Sequence, residues 1–244
     1  ARNPWNPAHS PAGSSSGSGA ALAAGLVLGA IGTDTGGSIR GPAAYCGITG
    51  LKPTYGRVSR RGIVTLSWSL DHAGPMGRTA EDVAYLLTPL AGYDAADPAS
   101  AKVPAEDYVA ALSRGIGGLR IGLATNVLEM ADENVRQATE AAAEVFRGLG
   151  AVVEPVTYPH RELAAALRVI STSESYAYHA TDLAELPRKY GRQLEHRTKA
   201  GGLYFASEYI QAQRVRTIIQ QAVAQLFQHI NVLLCPTMPT EPPT

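Results

Sequence analysis

The sequence predicts an α/β fold, and three observations carry that expectation. First, Leu119 to Ala124 and Ala151 to Val156 are short apolar runs of strand character. Between them Val135, Ala138, Ala142, Val145, Phe146 and Leu149 recur on one face of a helix. Strand, helix, strand in that order implies parallel strands joined by a right-handed crossover. Second, the apolar run Leu26 to Ile31 leads into a glycine-rich turn and then into a short apolar helix, Ile39 to Cys46. Third, Arg161 to Ile230 reads as helix almost throughout. With 244 residues, 45% of them hydrophobic, the chain can bury a substantial core in one large domain or two small ones.

Each element has a local reason. Ala1 to Ser16 is rich in Pro, Gly, Ser and Asn and reads as loop. Gly17 to Gly25 is small and mostly apolar, a helix able to pack very close to a sheet. Leu26 to Ile31 is the first expected strand. Leu51 to Gly62 is turn-rich, with Pro53, Gly56 and Gly62 as breakers. Ile63 to Leu70 is short and apolar, and Asp71 to Met76 is a loop or short strand. Thr79-Ala80-Glu81-Asp82 has a hydroxyl N-cap and acids in the first turn, so a helix starts there. Val83, Leu86, Leu87 and Leu90 continue it, and Gly92 ends it. Tyr93 to Arg114 is a polar connection with a short helix. Gly150 stops the crossover helix. The helical C-terminal text breaks near Pro187 and at Gly201-Gly202. It carries an apolar stripe of Val215, Ile218, Ile219, Val223, Leu226 and Phe227, and Val232 to Cys235 is a last short strand.

Composition narrows the function classes. Lys plus Arg and Asp plus Glu are 21 each, so the net charge is zero and no basic surface for nucleic acid is expected. Arg57, Arg60 and Arg61 form one basic knot, read as a solvated or salt-bridged turn. The two cysteines, Cys46 and Cys235, are far apart and form no CxxC pair, so zinc and redox motifs are unsupported. They read as buried thiols of a reducing, cytoplasmic compartment. The apolar runs are too short or too glycine-rich to span a bilayer, and the polar, proline-bearing opening residues lead to the expectation of no leader peptide.

Chemistry is concentrated in Gly32-Thr33-Asp34-Thr35-Gly36-Gly37-Ser38-Ile39-Arg40. Gly36 and Gly37 permit backbone bends that a Cβ would block. Their N–H groups, with those of the following helix start, can face one oxygen. Ser38 then sits where its hydroxyl could attack a carbonyl while the N–H groups hold the oxyanion. A second serine cluster, Gly13-Ser14-Ser15-Ser16-Gly17-Ser18-Gly19, lies upstream. A phosphate-binding loop would need a lysine after the glycines, and none follows. The pattern G-x-S-x-G is formally present around Ser15, but no strand precedes it. The six histidines form no HExxH pattern, and His72 reads as structural.

The order AGSSSGSGAALAAGL, GTDTGGSIR and then CGITGLKPTYGRVS resembles the amidase signature family, serine hydrolases with a Ser-cisSer-Lys triad. The likeness is densest over the first 90 residues or so and weaker beyond. It implies a mixed β-sheet core covered by helices on both faces, here an incomplete form. It also implies amide C–N hydrolysis through a serine acyl-enzyme, with no metal or organic cofactor. Ser38 corresponds to the nucleophile and Ser14, 24 residues earlier, to the relay serine, with a cis peptide at or beside it. The oxyanion hole would be the N–H groups of Thr35, Gly36, Gly37 and Ser38. Asp34 and Arg40 would brace the turn, and Ser15 would hold the relay loop. Ser16 stands where the family pattern has glycine. The family's lysine precedes the serine loop, whereas Ala1 to Gly13 contains none. Lys52, the nearest, belongs to the downstream run and reads as structural. The chain is therefore expected to be a single domain over 1–244, truncated at both ends and inactive alone. Its partner would be a small-molecule amide, with no direct nucleic-acid or membrane partner and homo-oligomerisation left open. Two alternatives stand beside this: the glutaminase component of a tRNA-dependent amidotransferase, with partner subunits, and a non-catalytic amide-binding scaffold. Tyr45, Ser67 and Trp68 flank the core motif as pocket candidates, with packing the favoured role for each.

Overall fold

The computed structural model describes residues 1–186 and 189–244, so the break expected near Pro187 lies outside the described residues. In chain order the elements are α1 (Ser16–Ala23), β1 (Ala30–Asp34), α2 (Arg40–Cys46), β2 (Thr49–Gly50), β3 (His72–Gly77), α3 (Ala80–Leu90) and α4 (Tyr108–Ala111). There follow β4 (Arg120–Ala124), α5 (Thr125–Leu128), α6 (Glu133–Gly148), β5 (Val152–Val156), α7 (His160–Glu185), α8 (Arg192–Ala200), α9 (Ala206–Leu226) and β6 (Val232–Leu234). They divide into two compact units. One comprises Ala1–Gly62, His72–Thr157 and His229–Thr244; the other comprises Ile63–Asp71 and Tyr158–Gln228. Among the described residues no helix is long and apolar enough to cross a membrane.

The first unit holds both sheets. β1 and β2 flank β3 and both run antiparallel to it, with Asp34 opposite His72 and Gly32 opposite Gly74. β5 and β6 flank β4 and both run parallel to it. The expected β4–α6–β5 crossover is thus present, and the two strand senses are divided between two three-stranded sheets. Leu22 of α1, Ile39 and Met76 of β3 are fully buried together, with Ala30 and Ile48 against them. α1 approaches α2 closely because Gly19 has no side chain: a Cβ there would lie 3.2 Å from Pro42 Cβ and 3.4 Å from Cys46 Sγ. Pro42 falls in the first turn of α2, where a missing N–H costs nothing. Thr79 caps α3 as expected: its Oγ1 accepts from the Asp82 N–H, and Asp82 accepts from the Thr79 N–H, each at 3.0 Å.

Three expectations shift. The strand expected over Leu26 to Ile31 starts later, at Ala30, and Leu26 and Leu28 are 77% and 84% exposed. The cause is the end of α1. Gly25 takes φ 72°, its N–H bonds Leu22 O and the Leu26 N–H bonds Ala21 O, so residues 26–29 serve as the turn out of the helix. On α6 the inward side is Val135, Thr139, Ala142, Ala143 and Phe146, whereas Ala138, Val145 and Leu149 face outward. On α9 the inward line is Ala212, Val215, Ile219, Val223 and Leu226, and Ile218 and Phe227 lie off it.

The second unit packs α7 against α9 around Ala166, Ile170 and Ala212, with Leu70, Val169, Tyr209 and Val215 closing the cluster. A 3₁₀ turn at Gly201–Leu203 marks the break expected at Gly201-Gly202. Glu174, 1% exposed, holds the 63–71 segment to α7. Its carboxyl accepts from Ser67 Oγ, from Ser69 N–H at 3.1 Å, from Ser69 Oγ at 2.7 Å and from Tyr209 OH at 2.8 Å. Arg216 of α9 donates to Ser69 Oγ and to Ser69 O, both at 3.1 Å.

Candidate active site

The two serine stretches meet in the first unit. The Ser15 N–H donates to Ser38 O at 3.2 Å, so the loop before α1 lies directly against the turn before α2. Ser15 Oγ also bridges β1, accepting from the Thr33 N–H at 3.2 Å and donating to Thr33 O at 3.3 Å. This approach needs glycine at 32. A Cβ there would sit 2.8 Å from Ser15 Oγ, 2.8 Å from Met76 Sδ and 2.9 Å from Ile39 Cγ1. The Gly13–Ser14 peptide is cis, at the position the resemblance indicated. Ser14 is exposed and Ser38 half-buried.

Asp34 organises the turn. Its carboxylate is fully buried at the end of β1. Oδ1 accepts from the Gly37 N–H and from Arg40 Nη2, both at 2.8 Å. Oδ2 accepts from the N–H groups of Ile39 (3.1 Å) and Arg40 (3.3 Å) and from Arg40 Nε (3.0 Å). Burial pushes the Asp34 carboxyl up, but the Arg40 guanidinium and the Gly37 and Ile39 N–H groups outweigh it and hold the pKa at about 2. Asp34 and Arg40 therefore brace the turn through one bidentate pair and three backbone bonds.

The same bonds correct part of the expected oxyanion hole. The Gly37 N–H is spent on Asp34, so Gly37 leaves the donor set. The start of α2 contributes no free donors either, since Ile39 and Arg40 also donate to Asp34. Gly37 instead supplies conformation, with φ 122°, a region closed to most other residues. Among the described residues the N–H groups of Gly36 and Ser38 make no hydrogen bond to the protein. Gly36 and Ser38 thus keep unbonded backbone N–H groups at this turn, beside Thr35.

The remaining candidates separate. His72 Nδ1 lies 3.2 Å from Asp34 O, and its ring meets Tyr55 edge-on at 5.5 Å between centroids. Lys52 Nζ donates to Pro53 O at 2.9 Å; burial and then the Arg40 charge lower its pKa, partly offset by Asp34. Tyr45 is buried, with its OH 3.0 Å from Thr240 Oγ1. Ser67 belongs to the Glu174 network of the second unit, and Trp68 is 46% exposed. Ser16 is the first residue of α1. Sequence reasoning does not single out Ser18, yet its Oγ donates to Ile31 O at 3.0 Å and ties α1 to β1. Its only signal is a hydroxyl in the first turn of a short helix. Among the described residues, no three His, Cys, Asp or Glu side chains gather as a metal site.

This arrangement falls within a known class: the Amidase family model matches residues 1–244, and the chain belongs to that family. More particularly, it is 45% identical over 242 residues to an amidase of Pseudomonas putida, spanning 98% of this chain and 52% of that protein. It is 43% identical over 265 aligned positions to the glutamyl-tRNA(Gln) amidotransferase A-subunit of Trichlorobacter lovleyi, spanning 98% of this chain and 55% of that protein. Among solved structures, a bacterial aryl acylamidase of the amidase signature enzymes superposes with a TM-score of 0.86 at 30% identity, over 99% of this chain and 52% of the other. A structure from an s-triazine catabolic enzyme study, an inhibitor-bound complex, superposes with a TM-score of 0.93 at 39% identity, over 100% and 53%. The chain thus spans about half the length of the relatives it matches.

Proposed function

We propose that this chain carries the nucleophile and relay of an amide hydrolase that works through a serine acyl-enzyme. Ser38 Oγ attacks the amide carbon and passes its proton to Ser14 Oγ. Ser14 passes its own proton to a base, and the carbonyl oxygen gains negative charge facing the Gly36 and Ser38 N–H groups. Collapse expels the amine, which takes a proton back through Ser14. Water then repeats the sequence on the ester and frees the acid. An oxyanion donor of this kind contributes about 2.7–4 kcal/mol to the transition state. The base is assigned to a lysine outside these 244 residues, in line with the family pattern and the half-length coverage of the relatives. A reducing, cytoplasmic setting goes with this reading, supported by two unpaired thiols, Cys46 and Cys235.

The observation that supports the reading best is the Ser15–Ser38 backbone bond, which sets the Ser14 loop against the nucleophile turn. It is tested in a form of the protein that carries the upstream lysine, assayed for release of amines from a panel of aryl and alkyl amides. Ser38→Ala is expected to fall to background. Ser14→Ala is expected to lose about 10²–10⁴-fold in kcat, the range for a proton-transfer group. Turnover that survives both would overturn the assignment. A second reading, the glutaminase component of an amidotransferase, is supported by the 43% identity to an amidotransferase A-subunit. Glutamine hydrolysis that appears only when partner subunits are added would select it.

A further inference from the structure

A cavity of about 580 Å³ opens in the first unit, lined by Lys52, Tyr55, Arg57, Glu106 and Tyr108 with Leu51, Leu87 and Val103 as apolar wall. None of these groups has a part in the proposed amide chemistry. We infer that this cavity binds a small organic carboxylate, held by Arg57, Tyr108 and Lys52 with its apolar body against the leucine and valine wall.

The lining carries two basic side chains, Lys52 and Arg57, against one carboxylate, Glu106. Arg57 is 11% exposed in its side chain. Its Nε donates to Tyr108 OH at 2.6 Å and its Nη1 to Val103 O at 3.3 Å. Its Nη2 is buried and makes no hydrogen bond among the described residues. The Glu106 carboxylate is 4.0 Å from Nη2, beyond hydrogen-bond reach, and is 74% exposed at the rim. A buried guanidinium N–H without an acceptor is unfavourable, and a carboxylate is the acceptor a guanidinium matches best. Tyr108 OH accepts from Arg57, which leaves its own proton to donate. Lys52 Nζ uses one of its three protons on Pro53 O. Burial and then the neighbouring Arg40 charge disfavour the Lys52 cation, partly offset by Asp34, and the charge of a bound anion would favour it. The volume lies within the range of small-molecule sites, about 300–1,000 Å³.

The test uses the longer form that carries the upstream lysine and reads the four lysines of these residues, Lys52, Lys102, Lys189 and Lys199. Reductive ¹³C-methylation keeps their charge and gives each an NMR signal, with Lys52 assigned by Lys52→Arg. Benzoate is the probe and benzyl alcohol its neutral counterpart. Benzoate is expected to raise the Lys52 titration midpoint by about half a pH unit or more, because an anion stabilises the cation it touches. The other three signals should not move, benzyl alcohol should move none, and Ser38→Ala should leave the effect intact. Tyr108→Phe is expected to weaken benzoate binding several-fold. Glu106→Gln, an exposed change that leaves the fold alone, is expected to strengthen it several-fold by removing a like charge. No Lys52 shift, a shift shared equally by the other lysines, its loss in Ser38→Ala, or an affinity indifferent to Glu106→Gln would each overturn the inference.

Discussion

At the scale of single residues, Asp34 decides the shape of the turn between β1 and α2. Its folded pKa of about 2 lies below the ordinary 3.8, so the ionised form stabilises the fold. The sign follows directly: this contribution is complete above about pH 4, and it is lost as pH falls from there towards 2. The shift corresponds to about 2 kcal/mol. Urea midpoints measured from about pH 5 down to about pH 2 should show that decline in the wild type and a shallower one in Asp34→Asn. Ala12 offers a smaller test. It takes φ 58°, a conformation that costs an L-residue roughly 1–2 kcal/mol. Ala12→Gly is expected to gain about 0.5–1 kcal/mol after the extra chain entropy of glycine is subtracted, read as a higher urea midpoint. Much of this level is legible in sequence. The Asp34–Arg40 brace, the cis Gly13–Ser14 peptide and the meeting of the two serine stretches all come from short contiguous motifs, the ones that hold the proposed Ser38 and Ser14. Spacing misplaces the Gly37 donor because an N–H can face a substrate or a carboxylate a few residues back, and the two look alike in sequence. Ser18 escapes it because its partner, Ile31 O, is a backbone atom on another element.

At the scale of elements, close approach is set by glycine. A Cβ at Gly201 would lie 1.9 Å from Thr172 O and 2.5 Å from Thr172 C, both backbone atoms of α7 that cannot swing aside. Gly201→Ala is therefore expected to force α7 and the 3₁₀ turn apart. The loss is about 2 kcal/mol or more, within the range for overpacking, and thermal unfolding of the variant would measure it. An unchanged melting temperature would contradict that contact. The crossover around α6 is readable because its apolar residues recur at helical spacing. Its exposed side is not, since Val145 and Leu149 fit that spacing within a residue and are as apolar as the residues that face inward. The edge of β1 is misplaced in sequence for a related reason. Leu26 to Gly29 has strand composition, but the left-handed Gly25 that closes α1 commits those residues to a turn. The Glu174 network has no local signal at all, because Ser67, Ser69, Tyr209 and Arg216 come together only when α7 and α9 pack.

At the scale of the whole molecule, the chain is about half of what its relatives use. It contains the serine loop, the Ser38 turn and the sheet that carries them. The central claim is that Ser38 is the nucleophile, relayed by Ser14 to a lysine beyond these residues. The most direct measurement is labelling with a fluorophosphonate, followed by mass spectrometry of the modified peptide. It would be run on this chain and on a form carrying the upstream lysine, each with and without Ser38→Ala. The expected result is a single adduct on Ser38 in the longer form, absent from its Ser38→Ala variant and weak or missing in the 244-residue chain. An adduct on another serine, or labelling that persists in Ser38→Ala, would contradict the account.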